Sequence, residues 1–239
     1  MKDISESQRL VFVVQKHKAT TLHYDFRLEI GGVMPSWSIP KGPSLDNSVK
    51  RLALPTEDHS LEYRHFEGVI AEEEYGAGPV MVWDEGAYTP EIEKARGVWQ
   101  EITGRAEAED VMRKGLAAGN LKFRLYGKKL QGSFALIRTR GFGGKESWLL
   151  IKHNDEFVQK GYDANAYDFS AVSNRSIAEI AVDQSSPPSY IERRPSSMAA
   201  SQFQPTGENL REPDGRCADE ELQIAATRPV NCTSGCQRE

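Results

Sequence analysis

The chain has 239 residues, of which 38% are hydrophobic and 27% charged, with a formal net charge of −5. That balance is ordinary for a soluble protein, and no apolar run approaches the roughly 20 residues that span a bilayer. A negative balance also excludes whole-molecule attraction to a polyanion, so any nucleic-acid contact must come from a local basic surface.

The opening MKDISESQRL lacks the apolar stretch of a secretory signal, so the expected setting is intracellular. RLVFVVQ, residues 9 to 15, is the first predicted strand, and LHYDFRLEI, 22 to 30, is the second. Gly31 and Gly32 then predict a hairpin turn into VMPSWSI. RLALPT, PVMVWD, LKFRLYG, GSFALIRTR and SWLLIK are further predicted strands. AEAEDVMRKGLAAGN reads as one amphipathic helix that stops at Gly119 or Asn120. Many short strands with one or two short helices point to a mainly β fold, a compact closed β-barrel over residues 1–165. Residues 166–239 read as a low-complexity, disordered C-terminal tail, with no lysine from Ala171 onward and polar, proline-bearing pieces such as QSSPPSY. All three cysteines, Cys217, Cys232 and Cys236, lie in that tail, so the barrel needs no disulfide, and their spacing is poor for zinc.

In LHYDFRLEI the two-residue period of a strand puts His23, Asp25 and Arg27 on one face and Leu22, Tyr24, Phe26 and Leu28 on the other. His17 ends the preceding strand and is within reach of the same face. Two imidazoles and one carboxylate leave open positions on a first-row divalent ion such as Mn2+, with Co2+ a further possibility. Arg27, one repeat beyond Asp25, offers a planar fork suited to phosphate. The alternative is a solvated barrel face with ordinary polar residues.

A second group follows in IPKGPSLDNSVKRLALPTEDHSLEY. Lys41 is presented by a stiff Pro-Lys-Gly-Pro turn, with Lys50 and Arg51 nearby. His59 is a candidate ligand, phosphate clamp or surface residue, and Tyr63 a packing or site residue. The run Glu72, Glu73, Glu74 reads as a solvated turn. Lys122, Arg124, Lys128, Lys129, Arg138 and Arg140 interleave with apolar positions, giving either a surface that tracks a nucleic-acid backbone or plain strand amphipathicity.

The stretch from FVVQKHKATTLHYDFRLEIGG through LEYRHFEGVIAEEEYGAGPVMVWDEG, together with LKFRLYGKKLQGSFALIRTR and SWLLIKHNDEF, resembles the 3′-phosphoesterase domain of bacterial DNA ligase D over residues 10 to 160. The resemblance implies a small β-barrel enzyme that removes a 3′-terminal ribonucleoside and then the remaining 3′-phosphate from DNA. By the family pattern His17, His23 and Asp25 ligate manganese, and Arg27 and His59 contact the scissile phosphate; on electrostatic grounds His59 would stabilise the growing phosphoryl charge most usefully as a cation. Lys41, Arg51 and Tyr63 match further positions implicated in activity, with Gln15 and Glu57 as weaker correspondences. The implied partners are DNA 3′ ends and separate ligase, polymerase and end-binding repair proteins, with no membrane, in a prokaryotic cytoplasm at the nucleoid during repair. The leader before FVVQKH is short, so residues that some ligase-fused members carry in an N-terminal extension are expected to be missing. That bears on ribonucleoside removal more than on phosphate hydrolysis. Two other readings share these residues: a non-catalytic DNA-end-binding module, and a non-haem iron oxygenase built on the two-histidine, one-carboxylate set.

Overall fold

Leu10–Lys18 (β1) alternates Leu10, Phe12 and Val14 toward the core with Val13, Gln15 and His17 toward the other face, the pattern of a strand with two different sides. It pairs antiparallel with Leu22–Leu28 (β2), which pairs with Met34–Ile39 (β3) across the turn at Gly31 and Gly32. Both glycines have positive φ, 64° and 83°, as a two-residue hairpin turn of the primed kind requires. The remaining strands are Lys50–His59 (β4), Gly68–Ile70 (β5), Gly78–Ala95 (β6), Val98–Glu101 (β7), Asn120–Gly127 (β8), Gln131–Thr139 (β9) and Ser147–Lys152 (β10). The order β1-β2-β3-β4-β10-β9-β8-β6 returns to β1 through the β1–β6 pairing, so the strands close into a ring. β5 and β7 are added along β6. The fold is mainly β, and the ring supplies the closure expected from the sequence.

These statements rest on a computed structural model that describes residues 9–139, 141 and 146–183, all within the unit Met1–Arg193. The expected disordered tail from 184 onward, with its three cysteines, lies outside the described residues, as does Arg140.

The inside of the ring is aromatic and dense. Phe26, Phe123 and Phe134 stack in sequence at centroid distances of 5.9 and 6.4 Å, and Tyr24 meets Trp83 edge-on at 5.4 Å. Helix α1 (Arg105–Ala118) buries Ala108 and Met112 against this core and stops at Gly119, whose φ of 73° provides the left-handed C-terminal cap. Asp84 of β6 bolts down the β8–β9 turn. Its carboxylate accepts the backbone N–H groups of Lys128, Lys129 and Leu130 at 2.9, 3.1 and 2.7 Å.

Residues 166–183, placed in the tail on composition, form a strap on the ring. The indole of Trp83 donates to the Tyr167 carbonyl at 2.8 Å, and buried Lys16 pairs with Asp168 at 2.9 Å. Arg175 reaches Glu67 at 3.3 Å. Helix α2 (Ile177–Val182) is capped by a Ser176–Glu179 capping box and buries Ile177 and Ile180 in the core. Ile177 and Ile180 on one short helix, with Tyr167 against the core, carry the apolar part of this packing, too few and too scattered to show as periodicity in a polar stretch.

Candidate active site

The site occupies the outer face of β1 and β2. Register places His17 opposite His23, Gln15 opposite Asp25, and Val13 opposite Arg27, so six side chains meet on one patch of sheet. β6 supports it from the other side. Between Val14↔Asp84 and Gln15↔Val82 the ladder has a bulge that turns Val82 onto the site face, where it packs with Val13, Met34 and Leu61.

His17, His23 and Asp25 each offer a ligand atom, all within 4.8 Å of one another. His17 Nδ1 lies 3.8 Å and His23 Nε2 3.5 Å from the Asp25 carboxylate. The opposite nitrogen of each ring is tied to a backbone carbonyl: His17 Nε2 donates to Gly76 at 2.7 Å, and His23 Nδ1 to Thr21 at 2.9 Å. A carbonyl can only accept, so these bonds put the ring protons on the outer nitrogens and aim bare lone pairs at Asp25. Two lone pairs and a carboxylate converging on one point call for a cation or a proton between them. That donor set, with neutral imidazoles already oriented by their outer bonds, fits a divalent metal. In its absence the contact with Asp25 raises the His23 pKa. Burial opposes ionisation of Asp25, but His17, His23 and the Arg27 charge outweigh it and hold the carboxyl well below the usual range.

Arg27 is almost wholly buried, and three of its five N–H groups are committed. Nε donates to Gln15 Oε1 at 2.8 Å, Nη2 to Asp25 Oδ2 at 3.1 Å, and Nη1 to His59 Nδ1 at 2.9 Å. Burial lowers its pKa while Asp25 opposes the shift, and a guanidinium remains a cation at neutral pH. One N–H is left on each terminal nitrogen, a fork already oriented for an oxyanion. The guanidinium lies over the Tyr63 ring at 5.3 Å, and the same ring meets His59 at a tilt of 46° and 4.7 Å. Burial raises the pKa of the Tyr63 phenol, which therefore stays protonated.

His59 does not match the cation expected of it. Burial, followed by the Arg27 charge, lowers its pKa to about 4. Its Nδ1 lies between the Glu57 carbonyl at 2.8 Å, which can only accept, and Arg27 Nη1 at 2.9 Å, which can only donate, so the two contacts compete; with the charge-assisted Arg27 bond made, Nδ1 is bare and the proton sits on Nε2. A neutral His59 then presents an N–H donor to a ligand.

The sequence-derived residues divide clearly. Gln15, His17, His23, Asp25, Arg27, His59 and Tyr63 come together. Gln15 is the link that sequence reasoning undervalued: fully buried, it accepts from Arg27 and donates to the Tyr63 and Phe66 carbonyls at 3.1 and 3.0 Å, clamping the 3-10 turn Leu61–His65 over the site. Glu57 contributes its carbonyl at the edge. Lys41 is exposed in the turn closed by Gly42 N–H to the Ile39 carbonyl. Arg51 shares its face of β4 with buried Ala53, whereas Thr56, paired to Ser36 and through it to Arg27, lies on the site face. Among the described residues no hydrogen bond or ion pair joins Lys41 or Arg51 to the cluster. Ser36, whose hydroxyl is 3.4 Å from His59 Nδ1, and the carbonyls of Thr21, Phe66 and Gly76 were not foreseen. Backbone groups leave no residue-type signal, and only Gly76, at φ 81°, marks its position in the sequence.

The basic interleaved stretch is largely spoken for. Lys122 sits over Trp99 and beside Glu93, Arg124 pairs with Glu156, Lys128 and Lys129 donate to carbonyls, and Arg138 packs on Trp148. Plain strand amphipathicity accounts for them.

Comparison with known proteins converges on the same region. The chain is 48% identical over 146 residues to the multifunctional non-homologous end joining protein LigD of Pseudomonas aeruginosa, covering 61% of this chain and 15% of that protein. It is 38% identical over 152 residues to the LigD repair protein of Mycobacterium tuberculosis, and 39% identical over 145 residues to that of Mycolicibacterium smegmatis, covering 64% and 61% of this chain and 17% of each relative. The chain thus spans less than a fifth of these relatives. The model of the DNA ligase D 3′-phosphoesterase domain matches residues 15–138, just over half of the chain and every polar side chain of the site just described. The chain belongs to the DNA ligase D 3′-phosphoesterase domain family.

Proposed function

We propose that this chain is a metal-dependent phosphoesterase that heals broken DNA by removing a 3′-phosphate, and a 3′-terminal ribonucleoside before it, to leave a 3′-hydroxyl. The observation that carries the reading is the fork of Arg27, held by three bonds beside three converging metal-ligand atoms. His17, His23 and Asp25 would hold Mn2+ or, less suited to hard phosphate oxygens, Co2+. When bound, such an ion supplies Lewis-acid polarisation of a phosphate oxygen.

The chain's own groups do the rest. The two free N–H groups of Arg27 grip phosphate oxygens, and the Nε2 proton of neutral His59 donates from a second direction as charge grows on the phosphoryl group. Asp25 keeps Arg27 in line through Oδ2. Gln15 and Tyr63 hold the guanidinium flat and exclude water from its rear face. Lys41, exposed outside the cluster, is assigned to the polynucleotide beyond the scissile phosphate, while Arg51, on the opposite face of β4, and Glu57, at the edge beside His59, are given no contact with it. Water is the nucleophile in the phosphomonoester step. The implied partners are DNA 3′ ends, with ligase, polymerase and end-binding repair proteins acting from elsewhere in the prokaryotic cytoplasm.

The test is incubation of the full chain with 3′-phosphate and 3′-ribonucleotide oligonucleotides across Mn2+, Co2+, Mg2+ and Fe2+, with and without oxygen, and products resolved on a gel. Anaerobic, chelator-sensitive phosphate release with Mn2+ is expected. Tight end binding without product would instead favour a binding module, and oxygen-dependent turnover with Fe2+ and a 2-oxo acid an oxygenase.

A further inference from the structure

The loop between β5 and β6 is fastened to the site at one atom. The Gly76 carbonyl accepts from His17 Nε2, and two consecutive turns, Glu74 N–H to Ala71 at 3.0 Å and Ala77 N–H to Glu74 at 3.2 Å, build the loop around that point. Gly76, at φ 81°, fills the third position of the second turn, which makes it type II and puts Tyr75 at the outward second position. Gly78, at φ 133°, lies so close to the Lys18 carbonyl that any Cβ would collide with it. The loop is therefore seated on the end of β1, and the Cα of Tyr75 is one peptide, about 3.8 Å, from that of Gly76.

Tyr75 is fully exposed, the most exposed aromatic ring among the described residues. No other ring or cation packs on it there. The three residues before it are Glu72, Glu73 and Glu74, whose charge repels phosphate. An exposed aromatic ring, carried one residue from the carbonyl that supports His17 and preceded in the chain by three carboxylates, is suited to a neutral, flat, aromatic partner.

We propose that Tyr75 is a stacking platform for the nucleobase of the nucleotide that bears the 3′-phosphate, a subsite that rests on reading the His17, His23, Asp25 and Arg27 cluster as the hydrolytic centre. Every base has a π-face, so such a platform grips the terminal nucleotide without selecting sequence. The acidic run keeps the DNA backbone away from the platform and leaves the phosphate to Arg27.

The experiment compares the unaltered chain with Tyr75→Ala and Tyr75→Trp on two 3′-phosphate oligonucleotides, one with an ordinary terminal nucleotide and one whose terminal sugar lacks its base. On the base-bearing substrate Tyr75→Ala is expected to raise KM about tenfold, equivalent to about 1.4 kcal/mol, and Tyr75→Trp to restore it. On the abasic substrate the same substitution should change KM by less than about twofold, because the partner is already gone. An equal rise on both substrates, or none on either, overturns the subsite. The indole fluorescence that Tyr75→Trp adds to the unaltered chain's supplies a readout independent of turnover. Quenching of that added signal by the base-bearing oligonucleotide and not by the abasic one supports stacking, and no quenching by either overturns it. If the unaltered chain releases no phosphate while the quenching is base-dependent, the subsite stands and the hydrolytic reading falls.

Discussion

Arg27 shows how a charged side chain can be nearly removed from water and still be ready to act. Gln15, Asp25 and His59 each take one of its N–H groups, so its geometry is set before any ligand arrives. Lysine has a point charge and three donors on a flexible stem, and it cannot reproduce three fixed bonds while keeping a fork free. Arg27→Lys should therefore lower kcat about 10²- to 10³-fold in a 3′-phosphate release assay, with a circular dichroism spectrum close to the parent's. The choice of substitution matters elsewhere in the cluster. Asp25→Ala strands the buried Arg27 charge, and breaking a buried pair costs about 3–5 kcal/mol, so lost activity there is mixed with lost stability. His23 is partly exposed, and His23→Ala is the cleaner test: metal binding by calorimetry should be lost while the thermal midpoint shifts little. His23, Asp25 and Arg27 were legible in the sequence because a period of two puts them on one face. Gln15 and His59 were not legible as partners of Arg27, since their contacts cross 12 and 32 residues of chain and depend on which strands pair.

At the scale of elements, nearly every strand was legible, because β-branched and aromatic runs bounded by Gly, Pro and Asp mark them well. The bulge between β1 and β6 was not, and neither was the role of Asp84, because both depend on partners far along the chain. Asp84 also has a measurable signature. Burial, opposed by its three amide bonds, raises its pKa from 3.8 to about 6. Between those values the folded state holds a proton that the unfolded state releases, so this group makes stability fall as pH rises from about 4 to about 6 and adds no further change above that. The loss should be on the order of 2–3 kcal/mol, read as a falling urea midpoint across the window. Asp84→Asn should flatten that slope whatever it does to the baseline. A slope that survives the substitution would assign the effect to other groups.

Across the described residues, the ring of strands is covered from outside by later residues of the same unit. Composition suggested a boundary near 165, yet Asp168 pairs with Lys16 of β1, Arg175 with Glu67 just before β5, and Ile177 and Ile180 pack in the core. Burying two isoleucines contributes roughly 3–6 kcal/mol, a large fraction of the 5–15 kcal/mol that holds a domain folded. A chain ending at residue 165 should therefore melt well below the full chain or fail to fold, whereas one ending at 183 keeps every contact named here and should melt close to it. Thermal denaturation of the two truncations decides the point, and equal midpoints would show the strap to be dispensable.

If His17, His23 and Asp25 hold a metal as proposed, the single bond between the Gly76 carbonyl and His17 should also tie the loop's resistance to proteolysis to occupancy of that site. An imidazole pinned by a metal on one nitrogen holds its other proton steady for the carbonyl, and a chelated protein loses that restraint. Glu72, Glu73 and Glu74 stand on the tethered loop as ready targets for a glutamate-specific protease. Cleavage there should speed up several-fold with chelator and slow again on adding Mn2+, so a nick between β5 and β6 would report metal occupancy without any DNA.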